Sequence, residues 1–219
     1  MRKCIVALAA TMLMIVTVLV AGCEKETDDW VDLGLPSGLQ WATCNVGASS
    51  PEEYGDYFAW GEITPKSLYD WSTYRYCNGT HDQLTKYCFQ SSYGYNGFTD
   101  DLTILQPGDD AATANYGGRT PTKEEWQELL DNTTSEWTTL NGVSGRRFIG
   151  SNGNSIFLPA GGNLFGDASV NYTVGNYWSS TLHKDCGYSF YAWRLYFNPS
   201  DQSMGGGLRD CGATVRAVK

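Results

Sequence analysis

Cysteine has the widest choice of chemistry in this chain, and one of the seven is placed for a specific reaction. Cys23 follows Val20-Ala21-Gly22, at the end of an apolar run from Ile5 to Val20 that Arg2 and Lys3 precede. Small residues at Ala21 and Gly22 suit a signal-peptidase groove, and a cysteine directly behind them is where a diacylglyceryl thioether is built. A plain transmembrane anchor needs about 20 apolar residues and has no use for the Ala-Gly-Cys ending. The expectation is cleavage after Gly22, then a lipid on Cys23.

Without Cys4 and Cys23, five cysteines remain: Cys44, Cys77, Cys88, Cys186 and Cys211. An exported chain can form disulfides. Cys77 with Cys88 would close a short loop, worth about 3 kcal/mol by chain entropy, and Cys186 with Cys211 could tie two late strands. Pairing cannot be read from spacing, and an odd number leaves one thiol over. There is no Cys-x-x-Cys, and His81 and His183 are the only imidazoles, so neither a metal nor a cofactor is expected. Glu124 and Glu128 could suggest a two-carboxylate hydrolase, but their phase places them on the wet side of a helix. No Gly-x-Ser-x-Gly, His-Glu-x-x-His or phosphate loop occurs. An enzyme is not expected.

The elements that must carry these residues are mostly short. Val31, Leu33 and Leu35 alternate, as do Leu39 and Trp41, around the turn chemistry of Pro36-Ser37-Gly38, which predicts a strand pair. Tyr57-Phe58-Ala59-Trp60 reads as another short strand, and residues 62–118 as long loop with short elements. Thr122 and Glu125 form a capping box ahead of Trp126, Leu129 and Leu130, the apolar stripe of one helix. Arg147 to Gly150 and Ser155 to Pro159 flank a hairpin turn. Further strands are expected at Asn176–Thr181, at Tyr191–Phe197 and at Ala213–Val218. Trp126, Trp178 and Trp193 are the expected core tryptophans.

Loss of residues 1–22 removes Arg2 and Lys3 and no acid, so fifteen basic residues become thirteen against twenty-four acidic, a net −11. That balance excludes nucleic acid as a partner. The organisation expected is a signal peptide over 1–22, an acidic tether over 23–29 and one domain over 30–219. Its 25 Gly, 14 Tyr and 8 Trp point to a loop-rich chain with an aromatic core.

Four segments carry a resemblance: Trp41-Ala42-Thr43-Cys44-Asn45-Val46-Gly47-Ala48, Arg119-Thr120-Pro121-Thr122-Lys123-Glu124-Glu125-Trp126, Tyr177-Trp178-Ser179-Ser180 and Val215-Arg216. Together they resemble the Fibrobacter succinogenes major paralogous domain, a family abundant in Bacteroidetes lipoproteins. The second is also similar to the helix start of formylglycine-generating-enzyme-like proteins, a branch of the C-type lectin fold. The resemblance implies an α+β, C-type lectin-like domain with twisted antiparallel strands, one or two helices and long loops. Glu24 to Asp29 resembles the acidic stretch that sends such lipoproteins to the outer surface. The family's calcium ligands do not carry over, because in Gln106-Pro107-Gly108-Asp109-Asp110 a glycine intrudes and the segment precedes the helix. Nor do the paired catalytic cysteines, since Cys186 and Cys211 lack their surroundings.

These readings give a lipoprotein of the outer membrane that binds a protein or glycan at the cell surface. The alternative is a structural or accessory subunit of a surface appendage. His183, Asp185, Tyr188, Arg209 and Asp210 are the expected ligand-binding residues. They fall in two runs, Leu182–Tyr188 and Gly205–Cys211, whose residues other than Lys184 can all be encoded by codons ending in C. Some C-type-lectin-fold proteins are diversified by retroelements at such codons, so the runs are expected to form one exposed, diversified face.

Overall fold

The capping box forms as its spacing predicts. In a computed structural model that describes residues 29–167 and 173–219, Thr122 accepts from the Glu125 N–H while the Glu125 carboxylate accepts from the Thr122 N–H. Arg119 forks onto the same carboxylate. Helix α2 (Lys123–Asn132) follows and buries Trp126 and Leu129. Glu124 points to solvent, but Glu128 accepts from the Ser37 N–H and hydroxyl at 2.8 and 2.6 Å, tying the helix to the first turn. Helix α1 (Ala111–Asn115) is a shorter piece capped by Asp110. Among the described residues no helix is long and apolar enough to cross a membrane. Cys23 and the expected signal peptide over 1–22 lie outside the described residues.

Among the described residues nine strands form three antiparallel sheets of three, so the class is α+β. Strands β1 (Trp30–Asp32) and β2 (Gln40–Asn45) pair around the expected turn, and β9 (Arg216–Val218) joins the other side of β2, so the first and last described strands share one sheet. Strands β3 (Thr134–Leu140), β4 (Val143–Ile149) and β5 (Ser155–Pro159) make a meander. Strands β6 (Gly175–Leu182), β7 (Tyr191–Phe197) and β8 (Gln202–Leu208) make the third sheet. Phe58 makes only a single bridge, to Ala213, where a strand was expected. The segment 62–118 holds three single 3-10 turns besides α1.

Strand β8 occupies a run whose three glycines read as loop. Two of them are required by packing: a Cβ on Gly207 would come within 2.9 Å of Trp178 and Arg194, and one on Gly206 within 2.9 Å of His183. The sheet can close on these side chains only where β8 has none.

Trp126 and Trp178 are buried as expected, but Trp193 is not. The buried phase of β7 passes from Ala192 to Leu195 and Phe197, opposite a register irregularity in β6 between Trp178 and Leu182. That change of phase turns Trp193 outward.

The disulfide expectation is corrected. Cys44, Cys77, Cys88, Cys186 and Cys211 are all free. Backbone bonds close the loop between Cys77 and Cys88 instead, from Asn78 N–H to Gln83 O and from Thr85 N–H to Tyr76 O, at 2.8 and 2.9 Å. The Cys77, Cys88 and Cys186 thiols donate to the Trp71, Gln90 and His183 carbonyls. Cys211 is buried beside Asp210 while Cys186 sits half-exposed in the β6–β7 loop.

Two wholly buried arginines tie separate segments together, one between sheets and one among loops. Arg216 gives its guanidinium to the Asn45 amide oxygen and to the Ala42, Thr43 and Phe157 carbonyls, linking β2 to β5. Arg209, at the end of β8, does the same for the loops described next.

Candidate functional site

Three loop segments converge on Phe190. Its ring lies 4.8 Å from His81, 5.1 Å from Tyr93, 5.3 Å from Tyr188 and 5.0 Å from Tyr191, with Trp71 at 6.2 Å. Tyr188 keeps 47% of its surface exposed. His81 is exposed, and the other four rings are half-buried. Such a patch offers a large contact area from side chains with little rotamer freedom to lose.

The floor of this face is Arg209. Its NH1 donates to the Tyr87 and Ser189 carbonyls, its NH2 to the Lys86 carbonyl and its Nε to the Tyr74 hydroxyl, all at 3.0 Å. The cation also sits 5.0 Å from the Trp60 ring centroid and 5.2 Å from that of Tyr74. A buried cation without a carboxylate partner is tolerated only when hydrogen bonds and aromatic faces replace its water. One side chain thus fixes the 86–87 loop to the 189 loop, beneath the rings.

A second knot holds the same loops from below. Asp109 accepts from the Tyr76 and Tyr87 hydroxyls at 2.5 Å and from Lys86 Nζ at 2.6 Å. Burial pushes its carboxyl up, but the bonds from Lys86, Tyr76 and Tyr87 outweigh burial and hold it below the usual carboxylate range. Asp110 accepts from the Ala112 and Thr120 N–H groups and from the Thr113 and Thr120 hydroxyls. Both acids of the Gln106–Asp110 segment are therefore engaged within the protein. Among the described residues no three His, Cys, Asp or Glu gather as a metal site.

The expected ligand-binding residues separate. Tyr188 joins the aromatic face. His183 and Asp185 make a different corner: His183 stacks on Trp193 at 3.7 Å, and Lys123 Nζ lies 3.9 Å from the same ring and 3.4 Å from Asp185. Burial, with Lys123 adding to it, outweighs Asp185 and lowers the His183 pKa. Arg209 and Asp210 are wholly buried, which corrects their placement on an exposed face. Cys211 is buried with them, so the end of the run Gly205–Cys211 lies inside, while Gly205, Gly206 and Leu208 stay half-exposed. Trp71, His81, Tyr93 and Phe190 were missed. Their signal was an aromatic density in loop text, including Tyr188-Ser189-Phe190, just ahead of the strand alternation that starts at Tyr191.

Asp210 is the anomaly of the interior. Its Oδ2 has no hydrogen-bond partner, and burial raises its pKa from 3.8 to about 6. Between pH 3.8 and about 6 the folded protein therefore keeps a proton that the unfolded chain has released. The stability this acid contributes is full below 3.8 and is lost as pH rises through about 6. Asp210→Asn is expected to melt above the wild type at about pH 8, with the difference closing below about pH 4. Thermal melts across that range check it, and a difference independent of pH would refute it.

No protein-family model, no curated protein and no solved structure matches the chain.

Proposed function

We propose that this protein is a non-catalytic binding module of C-type lectin-like architecture. A lipid on Cys23 tethers it to the outer membrane, it faces the cell exterior, and it takes a protein or glycan ligand on the aromatic face. The observation that carries the reading is a set of partly exposed rings on loops whose backbones are pinned by one buried arginine. Paratopes pair that kind of surface with that kind of rigidity, because ordering costs subtract from affinity.

A glycan array and pull-downs with the mature chain would find the ligand. Tyr188→Ala and His81→Ala, both at exposed rings, are then expected to weaken binding, with the larger effect at Tyr188 reaching about 2 kcal/mol, roughly thirtyfold. A ligand bound equally well by both variants would remove the aromatic face from the proposal. The anchor is checked separately by mass spectrometry of the mature N-terminus, where an unmodified Cys23 or cleavage elsewhere would overturn it. The second reading, an accessory subunit of a surface appendage, is favoured by the free outer edge of β8.

A further inference from the structure

Among the described residues, strand β8 is the least protected sheet edge. Beyond its ladder to β7, the one backbone hydrogen bond to Gln202–Leu208 among the described residues is Cys211 N–H to Leu208 O. In an antiparallel pair alternate residues turn their N–H and C=O groups away from the partner strand, so β8 presents a row of such groups. Natural edges are guarded by charge, proline, bulges or brevity. Strand β3 carries Glu136, paired with Arg147, and β1 has three residues. The sequence Gln-Ser-Met-Gly-Gly-Gly-Leu of β8 has none of these guards. A Cβ on Gly205 would meet nothing within 4 Å.

Alongside this edge runs a groove of about 520 Å³ between α2 and the third sheet. Leu130, Trp193 and Met204 give it an apolar lining, and Gln127 and Asp131 a polar one. Gln127 donates to one Asp131 oxygen at 2.9 Å. Lys123, the cation of the groove, is engaged with Trp193 and Asp185. The groove therefore suits an apolar side chain beside a positive one.

We infer that β8 accepts an extended, basic segment of a partner protein as a fourth strand. Backbone bonds along Gln202–Leu208 hold the segment, and its alternate side chains enter the groove, an apolar one over Leu130 and Met204 and a Lys or Arg toward Asp131. Main-chain pairing supplies affinity and the groove supplies selectivity, as in other strand-addition sites. The net −11 of the mature chain favours the same sign of partner. This site is separate from the aromatic face and stands without it.

The test is a displayed library of random peptides of about ten residues, selected against the full mature chain in detergent. Recovered peptides are expected to alternate apolar residues and to carry Lys or Arg. Their binding should slow amide exchange within Gln202–Leu208 by about tenfold or more. Gly205→Lys, at a position with open space and no positive φ, and Ser203→Lys should each weaken binding about tenfold, without lowering the melting temperature. Tyr188→Ala should leave it unchanged. A library that yields no binder, or peptides that leave β8 exchange unaltered, overturns the inference. So does protection of β8 in the protein alone that rises with concentration, which would make this edge a contact between two copies of the chain.

Discussion

Arg209→Met is expected to cost at least about 3 kcal/mol of stability and to loosen the aromatic face. Methionine comes close to filling the volume but donates nothing, so the Lys86, Tyr87 and Ser189 carbonyls lose their buried partner. An orphaned buried polar group costs about 1–3 kcal/mol. Against that stands the relief of no longer burying a cation, which in some proteins makes an apolar replacement neutral. Here the loss should win, because three backbone oxygens stay behind and cannot be removed with the side chain. Denaturant unfolding measures the stability, and amide exchange at residues 86–89 and 189–191 reports the loops. A variant within about 1 kcal/mol of wild type, with unchanged exchange, would mean the arginine is not a strut.

Trp126→Ala is expected to be larger still, about 3–5 kcal/mol. The side chain is wholly buried and its ring lies 4.7 Å from Trp41 and 6.0 Å from Tyr177. Its Nε1–H donates to the Trp178 carbonyl at 3.2 Å, so α2 is bonded as well as packed to β6. Truncation opens a cavity where α2 meets two sheets and leaves that carbonyl without its donor. Domains hold only about 5–15 kcal/mol in all, so at 37 °C the variant should be partly unfolded. Circular dichroism melts check it, and a loss below about 1 kcal/mol would mean the neighbours collapse into the gap.

The features legible in the sequence are those whose causes are local. Thr122 and Glu125 satisfy each other's backbone groups within one turn, and the β4–β5 hairpin surrounds its own turn residues. Trp193 shows the limit of periodicity, since β7 alternates cleanly in text but changes its buried face partway along. Strand β8 was illegible because its glycines answer to Trp178, Arg194 and His183, which are distant in sequence. The same holds at the site. Tyr188 could be singled out as an exposed ring, but nothing near Arg209 in the chain shows that its acceptors are residues 86, 87 and 189. A charged residue in glycine-rich text reads as surface, and only the assembled loops turn it into interior. Cysteine count misled for a related reason: the loop it was expected to staple is closed by its own backbone.

Arg209 recognises peptide carbonyls in those loops, and a carbonyl is present whatever side chain its residue bears. Substitution at Ser189 therefore leaves the acceptor in place, so loop sequence and loop shape are partly decoupled there. A lineage under pressure from a changing ligand could rewrite Tyr188, Phe190 or His81 without first losing the support beneath them. Stability would be inherited through one buried residue, and specificity would drift through its exposed neighbours. On the proposed function, new binding would evolve through substitutions that are individually mild for folding, with Arg209 the position least free to change.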